Sequence, residues 1–480
     1  MSELELVAID KWRWKIPKTG SMRVPGMLFA DEKLLEDIRG DQVLRQVANV
    51  ACLPGVINYS FAMPDIHYGY GFPIGGVAAM DVDEGLISPG GVGYDINCGV
   101  RLVKTDLSAD ELSPRIPQMV KAIFQAVPCG VGSSGAIGRI SLSEERKLLS
   151  IGARWAVERG MGSSGDLPHT EEAGELAGAD PDALSDRALQ RGTTQVGTLG
   201  GGNHFIEISK VAEVFDKDAA RVFGLHEGQL VLQIHCGSRG LGHQVCQDYI
   251  KVMLEAARKY GINLPDRQLC AAPVLSSEGK RYFSAMAAAA NYAWNNRQVI
   301  MHLVLEALAR TLSISKSELG AGLVWDVAHN IAKFETHNVD GAARKVLMHR
   351  KGATRAFGPS RRELPDDYRK TGQPVLIPGD MGRQSFVCVG TDGAEETFGS
   401  TCHGAGRVMS RKKATERARG RNIIRELGAR GIYVLARGRS TIAEEMPEAY
   451  KDVAEVVRVM HNAGISKKVA RLVPLGVAKG

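Results

Sequence analysis

The chain has 480 residues, of which 44% are apolar, 24% charged and 6% aromatic. That is too hydrophobic for a disordered chain, and the 55 glycines follow no collagen-like period. The net charge is +6, no apolar run is long enough to span a bilayer, and the opening segment MSELELVAIDKWRWKIPKTG lacks the apolar stretch of a secretory signal. Eight cysteines without a C-x-x-C pair then read as reduced thiols of a cytoplasmic protein that makes no membrane contact.

In chain order, β-rich runs are predicted at 74–82 and 100–107. A helix follows, capped by Ser143, with Glu144 and Glu145 in its first turn and Gly160 at its end. The acidic, Gly/Ala-rich segment 161–193 reads as a surface excursion with a short helix at 185–191. Then come a strand at 229–236, helices at 243–260 and 284–313, and strands at 322–328, 374–378 and 386–390. A helix at 410–428, a strand at 431–436 and a helix at 441–461 complete the series. Helices and strands are mixed without a regular βαβ beat, which predicts one large α+β domain over residues 1–480.

Charge is unevenly spread. Residues 341–440 hold 21 Lys/Arg against 9 Asp/Glu, while the rest of the chain is slightly acidic. A basic segment of this kind suits a polyanion partner or a solvated helix face.

Metal-binding side chains recur beside Gly-rich turns at the ends of β-like runs. Asp65 and His67 stand in MPDIHYGYG, Asp95, Asn97 and Cys98 in GGVGYDINCG, and Asn203, His204 and Glu207 in GGGNHFIE. His235 and Cys236 precede GSRG, Asp326 and His329 lie in WDVAHN, Asp380 in PGDMG and His403 in CHGAGR. One such cluster means little, but seven in a glycine-rich chain suggest backbone brought close to a ligand. Asp95 and Cys98, three residues apart, can reach one ion together, and His204, His235 and His329 add imidazoles. A deprotonated cysteine can bridge two ions. Thiolate and imidazole favour Zn²⁺ and the carboxylate admits Mn²⁺, so the donors point to metal without choosing one. His403, among small residues and close to Arg407, is placed either as a nucleophile toward phosphorus or as a further metal ligand. Walker A, zinc-finger, H-E-x-x-H and Lys-x-Asp-Gly ligase patterns are missing. GVGSSG and GMGSSG match G-x-G-x-x-G without the strand-to-helix setting that motif needs.

The segments MPDIHYGYGFPIGG, GGVGYDINCGVR, GTLGGGNHFIE, HCGSRGLG, DVAHN, HRKGATRAF, PGDMG and CHGAGR occur in the order found in the RtcB family of RNA-splicing ligases. The resemblance runs from about residue 60 to Lys479. It implies an α+β fold with mixed sheets around a deep central metal and GTP cleft. It also implies an enzyme that joins RNA 2′,3′-cyclic phosphate or 3′-phosphate ends to 5′-hydroxyl ends, in tRNA splicing or RNA repair. Asp95, Cys98 and His204 would hold one Mn²⁺, and Cys98, His235 and His329 the second. His403 would take GMP from GTP, with Asp65 orienting it. GTP contacts are implied at Asn203, His204, Phe205, Ile206 and Glu207, at His329 and Asn330, and at Pro378, Gly379, Asp380, Met381 and Ser385. His403, Gly404, Ala405, Gly406 and Lys479 complete that set, with Tyr450 stacking on or bonding to the guanine. The implied partners are RNA and an archease-type activator such as serves some relatives.

Family members often carry a small hydroxyl residue where this chain has Asp380. An acid there would repel phosphate, which predicts that it meets guanine N1–H and the 2-amino group. Arg350, Lys351, Arg355, Arg361 and Arg362, with Arg411, Lys412 and Lys413, are expected to track RNA phosphates. Few aromatics lie among those charges, so readout of sequence by stacking is not expected, and recognition of ends fits better. Two other readings use the same residues. A two-metal RNA phosphoesterase would open cyclic ends without ligation, and an RNA-binding module would keep its metals for structure alone.

Overall fold

Two large sheets carry the chain's β-branched and aliphatic runs in the computed structural model, which describes residues 4–38, 42–359 and 361–480. One sheet orders its seven strands Val7–Ala8, Arg13–Ile16, Gly26–Phe29, Ser60–His67, Ile74–Asp81, Ala342–Lys351 and Asn330–Val339. The other runs Gly322–Ala328, Gly99–Ser108, Gln229–Cys236, Phe205–Val214, Ser466–Lys479, Ser385–Gly390 and Pro374–Ile377. Tyr433–Ala436 adds to it in parallel with Ser466–Lys479. The fold is α+β, as the sequence predicted. No helix among the described residues is long and apolar enough to cross a membrane.

Register decides what the second sheet gathers at one end. Gly99 pairs with both Ala328 and Cys236, Val100 with His235, and Phe205 with both His235 and Lys479. Cys98, His204, His235, His329 and Lys479, scattered over most of the sequence, therefore meet at the same edge. The first sheet brings its own end to the same place, since Asn330 pairs with Lys351 and His67 with Ile74. The chain crosses from one sheet to the other at His329–Asn330. A two-stranded ribbon, Ala353–Arg355 with Ser400–Cys402, delivers His403 to the gap.

Helix Ser277–Leu312 spans 36 residues, about 54 Å at 1.5 Å per residue. It is capped by Ser276 and ends on Ser313 in a left-handed conformation. Its middle is buried, including Arg297 at 0% exposure. The Arg297 guanidinium grips Asp326 through Nε (2.9 Å) and Nη2 (2.7 Å) and donates to the carbonyls of Asn97 (2.7 Å) and Cys236 (2.8 Å). Arg101 completes the cluster with a 2.8 Å bond from Nε to Asp326. One side chain thus ties the Asp95–Cys98 loop, the strand end at His235 and the strand leading to His329. Gly99 is required beside it, because a Cβ would lie 2.3 Å from the Val327 carbonyl oxygen and 3.0 Å from the Arg297 guanidinium.

Several predicted elements differ. Ser141, not Ser143, caps the helix after residue 140, and that helix is only Leu142–Ile151. Gly152, at φ 55°, ends it, and a separate turn Arg154–Val157 follows. The run at 410–428 is two helices, Arg411–Arg417 and Ile423–Ala429, the second begun by the Asn422 side chain. The run at 441–461 breaks at Pro447 into Arg439–Glu444 and Val453–Asn462. Segment 161–193 is not all surface. Buried Glu171 pairs with Lys333 and accepts from the Ala328 amide (2.9 Å), and Glu172 pairs with Lys333 (2.9 Å) and Arg355 (2.7 Å).

Replacing Asp326 with Asn should cost about 3–5 kcal/mol, because it leaves two buried guanidinium groups without their counter-charge. Denaturant unfolding of the metal-free protein measures this, and a loss below about 1 kcal/mol would show that the cluster does not anchor the fold.

Candidate active site

The gap between the sheet ends is a cavity of about 400 Å³. On its floor, the Cys98, His204 and His235 donor atoms lie within 4.8 Å of one another. Cys98 Sγ is 3.3 Å from His204 Nε2 and 3.2 Å from His235 Nε2, and His235 Nε2 is 3.2 Å from His329 Nε2. His204 Nε2 also lies 2.8 Å from Asp95 Oδ2. The donors form a row with Asp95 at one end, His329 at the other and the sulfur between. Asp95 sits this close because residue 237 is glycine, where a Cβ would meet its carboxylate at 2.3 Å. Asn97 turns the loop in a left-handed conformation (φ 50°), donating to the Ala290 carbonyl (2.7 Å) and accepting from Arg297 (3.0 Å).

Electrostatics match a cation site. Burial works against charge on Asp95, yet the facing His204 holds its carboxyl down at about 2. Burial likewise opposes charge on His204, but Cys236, Cys98 and Asp95 raise it well above an ordinary imidazole. Burial and neighbouring positive groups push His235 and His329 well below, so both are neutral. Burial, reinforced by Asp95, pushes the Cys98 thiol up to about 12. The donor atoms thus sit about 3 Å apart, the spacing of ligands roughly 2.0–2.3 Å from a shared ion. A divalent cation there would take the place of the shared protons and deprotonate the thiol. All five expected metal-binding side chains are present in this row.

His403 stands beyond the His329 end, with ring centroids 4.9 Å apart. Its Nδ1 lies 2.6 Å from Asp65 Oδ2, the oxygen that also accepts from the amides of His403 (2.9 Å) and Gly404 (3.2 Å). Burial opposes charge on Asp65, but His403 and Lys451 hold its carboxyl below the usual range. An ionised carboxylate on Nδ1 fixes the tautomer and leaves the Nε2 lone pair as the imidazole's reactive atom.

The cavity is further lined by Asn203, Phe205 and Glu207, by Asn330, by Pro378, Gly379, Asp380, Met381 and Ser385, and by Gly404, Ala405, Gly406, Tyr450 and Lys479. Burial raises Glu207 to about 7, its Oε1 accepting from Ser209 (2.6 Å) and Gln233 (2.9 Å). Lys479 Nζ donates to the Gly202 carbonyl (2.8 Å), and Ser385 Oγ accepts from the Gly379 amide (3.1 Å). The Tyr450 hydroxyl is taken up by Glu445 and by Arg407 (3.1 Å), which leaves the ring rather than the oxygen for a ligand.

Three expectations change. Ile206 alternates away from Phe205 and Glu207, and its side chain is buried in the core with Leu232 and Ile234. Asp380 lines the cavity, but its carboxylate is turned into its own loop. The side chain is fully buried, accepting from the Gly382 amide (3.0 Å) and Arg383 Nε (2.5 Å), so it closes its own loop. Asn330 also lines the cavity, and its side chain donates to the Asp95 carbonyl (3.1 Å) and accepts from the Gly352 amide (3.0 Å), bracing the two loops. Finally, Arg350, Lys351 and Arg355 are buried. Arg350 pairs with Glu335, Arg355 with Glu172, and Lys351 donates to the carbonyls of Tyr70, Phe72 (3.1 Å) and Gly90 (3.1 Å). Arg361 is held by Glu363 and Glu395. Arg362, Arg411, Lys412 and Lys413 remain exposed, Arg411 on the cavity wall. Glu445, which anchors Arg407 and Tyr450, had no sequence signal, because it lies in an ordinary acidic helix end.

Asp380→Ala should therefore lower stability by about 1–3 kcal/mol in denaturant unfolding, through the unsatisfied Gly382 amide and Arg383. Unchanged stability with a lost preference for GTP over ATP would return Asp380 to the base.

A family model described as tRNA-splicing ligase RtcB matches residues 46–480. A tRNA-splicing ligase RtcB of Archaeoglobus fulgidus is 55% identical over 478 residues, 99% of each chain. That of Thermococcus kodakarensis is 54% identical over 477 residues, again 99% of each. An RNA-splicing ligase RtcB of Mycobacterium tuberculosis is 51% identical over 437 residues, 91% of this chain and all of the relative. With the cysteine–histidine row and the Asp65-bound His403 at the cavity these matches cover, the chain belongs to the RtcB family of tRNA-splicing ligases.

Proposed function

We propose that this protein is a GTP-dependent ligase joining RNA 3′-phosphate or 2′,3′-cyclic phosphate ends to 5′-hydroxyl ends, and that it works in the reducing cytoplasm. The carrying observation is the His403–Asp65 pair, a tautomer-locked imidazole beside a metal-donor row in a nucleotide-sized cavity. A phosphoesterase would need the donor row but not this imidazole.

Two Mn²⁺ ions, one held by Asp95, Cys98 and His204 and one by Cys98, His235 and His329, would supply Lewis-acid stabilisation of charge on phosphoryl oxygens. His403 Nε2 attacks the α-phosphorus of GTP, forming a P–N bond as the P–O bond to pyrophosphate breaks. Asp65 stabilises the positive charge that develops on the ring. An oxygen of the RNA 3′-phosphate then attacks the same phosphorus, the P–N bond breaks, and the ring returns to its neutral form. The 5′-hydroxyl of the second strand attacks the activated 3′-phosphorus and GMP leaves. A cyclic end is first opened by water.

The remaining groups divide the nucleotide between them. The Glu207 carboxylate and the Ser385 hydroxyl read the guanine edge and the Tyr450 ring stacks on it, while Lys479 and the Gly404–Gly406 backbone face its ribose and phosphate. Exposed Arg411 at the cavity wall, with exposed Lys412 and Lys413 next to it in the chain, draws in RNA by charge, and an archease-type protein acts on the same mouth.

Purified protein given a 3′-phosphate RNA, a 5′-hydroxyl RNA, GTP and Mn²⁺ should yield joined product, and omission of any one should abolish it. His403→Ala should form no labelled protein from GTP carrying ³²P at the α position. Ligation without GTP, or an acid-labile label persisting in the variant, would overturn the assignment.

A further inference from the structure

Three aromatic side chains stand at the Asp95 end of the cavity, from three separate parts of the sequence. Tyr94 directly precedes Asp95, Tyr70 lies in the turn between strands Ser60–His67 and Ile74–Asp81, and His243 is on helix Arg239–Lys259. The Tyr70 and Tyr94 centroids are 5.7 Å apart at 68°, and those of Tyr94 and His243 4.9 Å apart at 32°. Tyr70 and Tyr94 line the cavity and are half-buried, while His243 is exposed and neighbouring Tyr68 is 50% exposed. Neither tyrosine hydroxyl has a hydrogen-bond partner among the described residues, and neither ring belongs to a hydrophobic core cluster. In a chain with only 6% aromatics, this group does no evident structural work.

Its place relative to the reacting atoms says what it could hold. The donor row begins at Asp95 and ends at His329, with His403 beyond. On the ligase reading, on which this inference rests, GMP departs toward the His403 end in the sealing step. In-line displacement at phosphorus requires the attacking oxygen to enter from the opposite side. That side is the Asp95 end, next to Tyr94. A strand that brings its terminal 5′-oxygen there carries its first base within one nucleotide of the rings. Every base has a π face, so stacking there would hold an end without reading its sequence.

We propose that Tyr94, backed by Tyr70 and His243, is the stacking platform for the first nucleobase of the 5′-hydroxyl strand. The sequence does not single out this platform, because the rings are far from the basic segment and from one another until the chain folds.

The test is steady-state ligation with two 5′-hydroxyl strands, one intact and one abasic at its first nucleotide, against a constant 3′-phosphate strand. With the wild-type protein, the abasic strand should show a KM raised about tenfold, within the range of roughly five- to a hundredfold for one base–aromatic stack. Tyr94→Leu should raise the KM of the intact strand by a similar factor and that of the abasic strand by less than twofold. The KM of the 3′-phosphate strand should stay unchanged. Equal KM values for intact and abasic strands with the wild type would overturn the proposal, and this arm needs no variant. So would a Tyr94→Leu defect of the same size on both strands, or one confined to the 3′-phosphate strand. If the ligase reading itself is wrong, the wild-type protein joins no intact strands, a different result from joining both equally well.

Discussion

The site depends on a buried charge cluster that never touches it. Arg297 and Arg101 share Asp326 at zero exposure, and the remaining Arg297 hydrogens hold the carbonyls that flank Cys98 and His235. Burying three charges is costly unless they are paired and hydrogen-bonded, and here the geometry satisfies them. What the cluster provides is position. The loop that carries Asp95 and Cys98, the strand end that carries His235 and the strand that runs to His329 are all anchored to one helix. The hydrogen bonds among the donor atoms, and the His204–Asp95 ion pair, then add to a geometry that the anchor already sets.

The two sheets divide the labour. The second gathers metal donors and Lys479 at one end through strand register. The first supplies Asp65 and the crossing at Asn330, and the short ribbon adds His403. The cavity then has two ends of different character. Around His403 it is lined by small residues and by Tyr450, suited to a nucleotide, and around Asp95 it opens onto aromatic rings. An RNA ligase must bring two strand ends together, and a cavity with such an axis suits that task.

The site was more legible in the sequence than the scaffold. Asp95, Cys98, His235 and His329 stood out because each borders a glycine-rich turn or an evident apolar strand, and those strands, near 100–107, 229–236 and 322–328, are observed. Strands Asn330–Val339 and Ala342–Lys351 were missed because their polar residues point inward. Lys333 pairs with Glu171 and Arg350 with Glu335, so the expected contrast of apolar and polar faces is lost. Strand Ser466–Lys479 was hidden by its lysines, Pro474 and Gly476, and its pairing with Phe205–Val214 shifts register beside that proline. The same blindness to burial made Arg350, Lys351 and Arg355 look like an RNA-facing surface. Asp380 shows the converse limit, since the carboxylate of a polar residue in a family motif is taken up by its own turn.

The central claim is that one cysteine sulfur joins two cation sites into a single centre. Electron paramagnetic resonance of the protein titrated with Mn²⁺ tests this most directly. The account predicts two ions per chain with the exchange-coupled spectrum of a sulfur-bridged pair, replaced by isolated-ion signals in Cys98→Ala. A single binding site, or two magnetically independent ions in the wild-type protein, would contradict it.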